Sequence, residues 1–79
     1  MEIELRLFST FREYLPEGSD TFSCRKSVPN ETVVSKIVDE MKLPADIPKI
    51  FVVNGNVVTG DCALRDGDVV SIFPPVAGG

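Results

Sequence analysis

An α+β fold is predicted: a mixed sheet of four to five strands, covered on one face by one main helix, with a short helix after the first strand. Three observations predict it. Residues 2–8 alternate between apolar and polar, the period of a half-buried strand. Val33, Val34, Ile37, Val38 and Met41 form one apolar stripe at helical spacing. Ile50 to Val53 is a short continuous apolar run, and Asn54-Gly55 follows it, the strongest short hairpin signal. A sheet with an apolar face must bury that face, and a helix laid across it is a common solution.

The elements follow in order. Ile3, Leu5 and Leu7 point one way in the first strand, and Glu2, Glu4, Arg6 and Phe8 point the other. Phe11, Tyr14 and Leu15 stand at helical spacing over residues 9–15, which predicts a short helix ending at Pro16, with Ser9 or Thr10 as its cap. Glu17-Gly18-Ser19-Asp20 is a turn. Residues 21–28 set Phe22, Cys24 and Val28 against polar alternates and read as the second strand. The main helix follows, capped by Thr32 or Asn30, and must stop near Leu43, because Pro44 disfavours a helical residue before it. Ile50 to Val53 reads as a buried strand, and its inward phase stays open because all four residues are apolar. Val57-Val58 begins the return strand, Asp66-Gly67 is a turn, and Val69 to Phe73 is the last strand. Pro74-Pro75 ends pairing, since neither residue has a backbone N–H. This order is similar to the β-grasp plan of ubiquitin. One domain is expected over 1–79, with 74–79 as an extended tail.

Composition narrows the function. The 79 residues are 43% apolar and 25% charged, ordinary globular usage. No apolar run approaches the ~18 residues that span a bilayer, so no membrane segment is expected. Met1-Glu2-Ile3-Glu4 does not resemble a secretory signal, and a cytoplasmic protein is expected. The net charge of −4 disfavours nucleic-acid binding, which needs clustered Lys and Arg. There is no histidine, so neither a His-activated serine nor a closed zinc site is available. Two cysteines, Cys24 and Cys62, are too few for an iron–sulfur cluster and read as small hydrophobes. Asp66-Gly67-Asp68 lacks the further ligands of a calcium loop. Without a phosphate-binding glycine motif, no bound cofactor or metal is expected. Side-chain catalysis is essentially missing, and no independent enzyme activity is expected.

The informative feature is the tail. Two terminal glycines arise by chance in about 0.5% of chains, given glycine at about 7% of residues, so a function for them is worth weighing. The double proline stiffens the exit from the last strand. Side chains then shrink from Val76 to Ala77 to Gly78 to Gly79. A tapered tail on a stiff base can enter a narrow channel and deliver a carboxylate to a buried site, because glycine lets another backbone approach closely.

Leu7-Phe8-Ser9-Thr10-Phe11-Arg12-Glu13, Val53-Asn54-Gly55, Leu64-Arg65-Asp66-Gly67-Asp68 and the ending Phe73-Pro74-Pro75-Val76-Ala77-Gly78-Gly79 together resemble the small subunit of molybdopterin synthase, within the MoaD/ThiS family of ubiquitin-like sulfur carriers. The resemblance runs over essentially the whole chain, and the ending is its most specific part. It implies a carrier cycle. A ubiquitin-activating-type adenylating enzyme, using ATP and magnesium, activates the Gly79 carboxylate. A sulfur donor displaces AMP and leaves a thiocarboxylate. The tail then enters the large subunit of molybdopterin synthase, where the sulfur builds the molybdopterin dithiolene. Two alternatives stand beside it: a sulfur carrier for thiazole (thiamine) or another cofactor pathway, and a protein modifier joined to lysines through Gly79.

The expected reacting group is the Gly79 carboxylate. The expected partner-binding residues are Phe8, Arg12, Phe73, Pro74, Pro75, Val76, Ala77 and Gly78. Phe8 lies on the polar phase of the first strand, and Phe73 lies opposite Val70 and Ile72 in phase. In a β-grasp sheet the first and last strands are neighbours, so the two rings are expected to sit side by side as an exposed apolar patch.

Overall fold

A computed structural model describes residues 1–75. In it β1 (Glu2–Leu7) leads into a short 3-10 helix (Ser9–Tyr14), and β2 (Ser23–Ser27) precedes α1 (Val34–Met41). β3 (Ile50–Val53), β4 (Asn56–Val58) and β5 (Val69–Phe73) follow. The strands form one sheet in the order β2-β1-β5-β3-β4. β1 and β5 run parallel, and every other pair is antiparallel. This is the mixed β-grasp sheet the sequence predicts, with five strands.

Register assigns the two faces. Leu5 lies opposite Val70 and Leu7 opposite Ile72, and all four are fully buried. α1 covers this inner face with Val34 and Ile37, also fully buried, because both belong to its apolar stripe. The same register resolves β3. Phe51 faces inward opposite Ile72 and Val53 inward opposite Val70, so Ile50 and Val52 face outward. β3 is therefore a half-buried strand, not the buried one its composition suggests, and Val53 alone of its residues is in the core.

The second strand needs correction. It spans Ser23–Ser27, not 21–28. Phe22 lies outside it and is 40% exposed. The chain bends just before the ladder, where the Asp20 N–H donates to the Ser23 carbonyl at 3.0 Å. Lys26, opposite Ile3, takes an inward position and lies 3.9 Å from Glu40. Val28 does join the core, one residue past the strand, with its N–H on the Met1 carbonyl.

The expected caps are also corrected. The 3-10 helix is preceded by Phe8, without a side-chain cap. Ser9 itself has a left-handed backbone, φ 56°. α1 is preceded by Val33, again without a side-chain cap, and the Thr32 hydroxyl turns back to the Pro29 carbonyl. The open N–H groups of α1 are met from far along the chain: Val34 donates to the Cys62 carbonyl and Ser35 to the Gly60 carbonyl. At its other end Lys42 adopts φ 59° and closes the helix before Pro44, as expected.

Lys49 fastens the loop that follows. Its ammonium donates to the carbonyls of Pro44 and Ile47 and lies 5.8 Å from the centre of the Phe11 ring. Phe11, fully buried, comes from the 3-10 helix, so one side chain ties the loop to the segment flanking the end of β5.

Candidate functional site

The tail leaves from the middle of the sheet. β5 has β1 on one side and β3 on the other. At its end Phe73 lies opposite Ile50, and the Phe8 N–H donates to the Ile72 carbonyl at 3.2 Å. Pro74 is half-buried and Pro75 exposed. Val76, Ala77, Gly78 and Gly79 lie outside the described residues.

An aromatic cluster stands beside this exit. Phe8 and Phe73 meet edge to face, with ring centres 5.9 Å apart and planes at 88°. They are side by side as the strand parity implies, and both are half-buried. Phe22 stacks on the other side of Phe8, with centres 5.3 Å apart and planes at 26°. Both distances fall in the favourable range for aromatic pairs. Phe22 was missed because alternation assigned it to the core. The warning was Lys26, which shares its phase.

Arg12 is exposed. Its Nε–H donates to the Thr21 carbonyl at 3.1 Å, which ties the 3-10 helix to the bend that carries Phe22. The structure thus brings Phe8, Arg12 and Phe73 to one end of the sheet and adds Phe22. Ile50 and Val52 extend the apolar surface along the outer face, and Val57, opposite Val52, is 76% exposed. The other end of the same face is charged: Arg6 pairs with Glu4 and Arg25 with Glu2. The outer face is therefore divided, apolar where the tail leaves and ionic at the far end.

Neither cysteine joins this surface. Both are half-buried and pack against the core. Burial pushes the Cys24 thiol up, against the smaller opposing pull of Lys26 and a hydrogen bond with Ser19. A thiol shifted that way is a poor nucleophile. Among the described residues no three His, Cys, Asp or Glu side chains gather as metal ligands, and no helix is long and apolar enough to cross a membrane.

Half-buried and exposed aromatic rings grouped beside the end of β5 make a contiguous apolar surface of the kind that marks interaction sites. Comparison with known proteins gives the family. The chain is 34% identical to small archaeal modifier protein 3 of Haloferax volcanii, over the full length of both. Its fold is similar to that of a Pyrococcus furiosus protein assigned as subunit 1 of a molybdopterin converting factor, with a TM-score of 0.73 and 27% identity over 95% of this chain and 98% of that one. A complex of subunits 1 and 2 of the molybdopterin-converting factor of Helicobacter pylori contains a chain of the same fold, with a TM-score of 0.65 and 24% identity over all of both chains. The model of the ThiS family matches residues 5–79, and the chain belongs to this family of ubiquitin-like sulfur carriers and modifiers.

Proposed function

We propose that this chain is a ubiquitin-like protein modifier that acts through the Gly79 carboxylate. The reading rests on one observation above the rest, the 34% identity to a small archaeal modifier along the whole of both chains. A carboxylate is a poor electrophile. An activating enzyme of the ubiquitin-activating type, with ATP and magnesium, joins it to AMP and releases pyrophosphate. A lysine amine of a target then displaces AMP and forms an amide. Phe8, Phe22 and Phe73 dock the activating enzyme, and Arg12 meets a carboxylate on it. Pro74 and Pro75 hold the exit straight, and Val76, Ala77 and Gly78 pass through a narrow channel to the reacting centre.

A second reading shares the activation step. A sulfur donor displaces AMP instead, and the resulting thiocarboxylate supplies the large subunit of a molybdopterin synthase. The likeness to the Pyrococcus furiosus protein favours it. Thiazole synthesis would draw on the same thiocarboxylate.

One experiment tests both. The chain is incubated with an activating enzyme and ATP, with either a sulfur source or a lysine-bearing acceptor, and read by mass spectrometry. A branched peptide joining Gly79 to a lysine amine is the modifier outcome. A shift matching sulfur for oxygen at the C-terminus is the carrier outcome. Deleting Gly79 shortens the reach by about 3.3–3.6 Å, and misplacement by ~1 Å can already cost 10²-fold in rate. Both products should therefore vanish while the thermal melt stays the same. Product formation by the shortened chain would overturn both readings.

A further inference from the structure

The turn between β3 and β4 carries a chemical liability and a guard against it. Asn54 and Gly55 both have left-handed backbone, φ 51° and 86°, as a two-residue hairpin turn of this kind requires. The Asn54 side chain is engaged at both ends. Its Oδ1 accepts the Val69 N–H at 2.9 Å. Its Nδ2 donates to Asp68 Oδ1 at 2.8 Å. The Asn54 backbone N–H donates to the Val69 carbonyl at 2.9 Å. The side chain thus stands in for a backbone carbonyl and adds one rung beyond the Val53–Val70 pair. Asp68 is held in turn: its Oδ2 accepts the Arg65 N–H at 2.8 Å, and its carbonyl accepts the Glu4 N–H at 2.9 Å. One amide side chain therefore secures the start of β5, the strand that bears the tail at its other end.

Asparagine before glycine is open to attack on its own side chain, because glycine has no Cβ to shield its nitrogen. The Gly55 nitrogen bonds to Asn54 Cγ and loses its proton. The Cγ–Nδ2 bond breaks, and ammonia leaves. Water then opens the five-membered imide to aspartate or to its β-linked isomer. No oxidant or reductant takes part. In the fold, the hydrogen bonds to Val69 and Asp68 restrain the Asn54 amide, and attack on Cγ requires it to swing free of them.

We propose that Asn54 is a deamidation site held closed by Asp68 and Val69, and that its conversion loosens the start of β5. Conversion replaces the Nδ2 donor by a carboxylate oxygen, which then faces Asp68 Oδ1 across a hydrogen-bond distance. An attractive contact becomes a like-charge one. The β-linked product also lengthens the backbone within the turn and breaks the added rung. The chain so marked carries an irreversible record of its age.

The test follows Asn54 conversion by peptide mapping and mass spectrometry, in the full chain held at neutral pH below its melting temperature. Asp68→Ala, confirmed as folded by circular dichroism, should convert about three- to tenfold faster than wild type, the factor expected for loss of one hydrogen bond. Wild-type chain unfolded in urea should convert faster than folded chain, and this comparison decides the matter if Asp68→Ala does not fold. Asn54→Asp, which reproduces one product, should melt about 4–8 °C below wild type. Equal conversion rates in folded wild type and folded Asp68→Ala would overturn the guard. Equal rates in folded and unfolded wild type would do the same. An Asn54→Asp melt matching wild type would overturn the loosening of β5.

Discussion

Replacing Lys49 with methionine keeps the length of the side chain and removes its charge. Three contacts are lost: the hydrogen bonds to the Pro44 and Ile47 carbonyls and the approach to the Phe11 ring. A hydrogen bond from a charged donor contributes about 1.5–3 kcal/mol where it is well enclosed. Lys49 is half-buried, so about 1 kcal/mol each is the fitting scale. The ring contact adds about 0.5 kcal/mol. Lysine and methionine lose similar rotamer freedom, and the methionine thioether recovers some packing against Phe11. The net cost is about 2 kcal/mol. A domain of this size has a total stability of roughly 4–12 kcal/mol, so the effect is large. At about 4–8 °C per kcal/mol for a 60–100-residue domain, the melting temperature should fall by about 8–16 °C. Circular dichroism melts give the first measure. Urea titration gives the second, with an unchanged slope showing that the same surface is exposed. A fall of under about 3 °C would mean that water replaces the ammonium without loss, and that Lys49 is not what holds the loop.

The aromatic residues should divide by burial. Phe11→Ala removes a fully buried ring and should cost about 3–5 kcal/mol, whereas Phe22→Ala, at 40% exposure, should cost about 1 kcal/mol and weaken binding to the activating enzyme at least tenfold by calorimetry; unchanged affinity would place the docking surface elsewhere. Cys24 should shape the alkaline side of the stability curve. Its thiol is raised by burial, so the neutral form is favoured in the fold. The stabilisation is whole below the ordinary thiol range near pH 8.5 and is lost as pH rises through the raised value. Cys24→Ser should flatten the fall in urea stability above about pH 8.5, and an identical fall in both proteins would assign it to other groups.

Legibility tracked how local the governing physics was. β1 and β5 could be read because Ile3, Leu5 and Leu7, and Val70 and Ile72, keep a strict period of two above one buried face. α1 could be read because its stripe and its proline stop are both local. The second strand could not be bounded, since the bend at Asp20 ends it at Ser23 and leaves the Phe22 ring against Phe8 while the Phe22 carbonyl still accepts the Leu7 N–H at 2.8 Å, and bends of this kind leave alternation unchanged. The face of β3 was hidden by four consecutive apolar residues and emerged only from pairing with β5. Helix capping was misjudged because the carbonyls of Gly60 and Cys62 do the work from far along the chain. Of the site, the meeting of Phe8 with Phe73 followed from strand parity and the neighbouring of β1 and β5. The addition of Phe22 did not, because it depends on the path of a turn.

The parallel pairing of β1 with β5 has a mechanical consequence. The two strands run in the same direction, so the start of β1 and the end of β5 lie at opposite ends of the shared ladder. A pull between the N-terminus and the segment beyond Phe73 therefore acts along that ladder, and its hydrogen bonds share the load in shear instead of parting one after another. β3 braces β5 from the other side. Force applied through the tail thus meets the sheet where it is doubly held, whereas the edge strand β4, with three residues and one neighbour, could be peeled away singly. A domain built in this way can be pulled at the end of β5 and keep its sheet intact until the central ladder gives way as a unit.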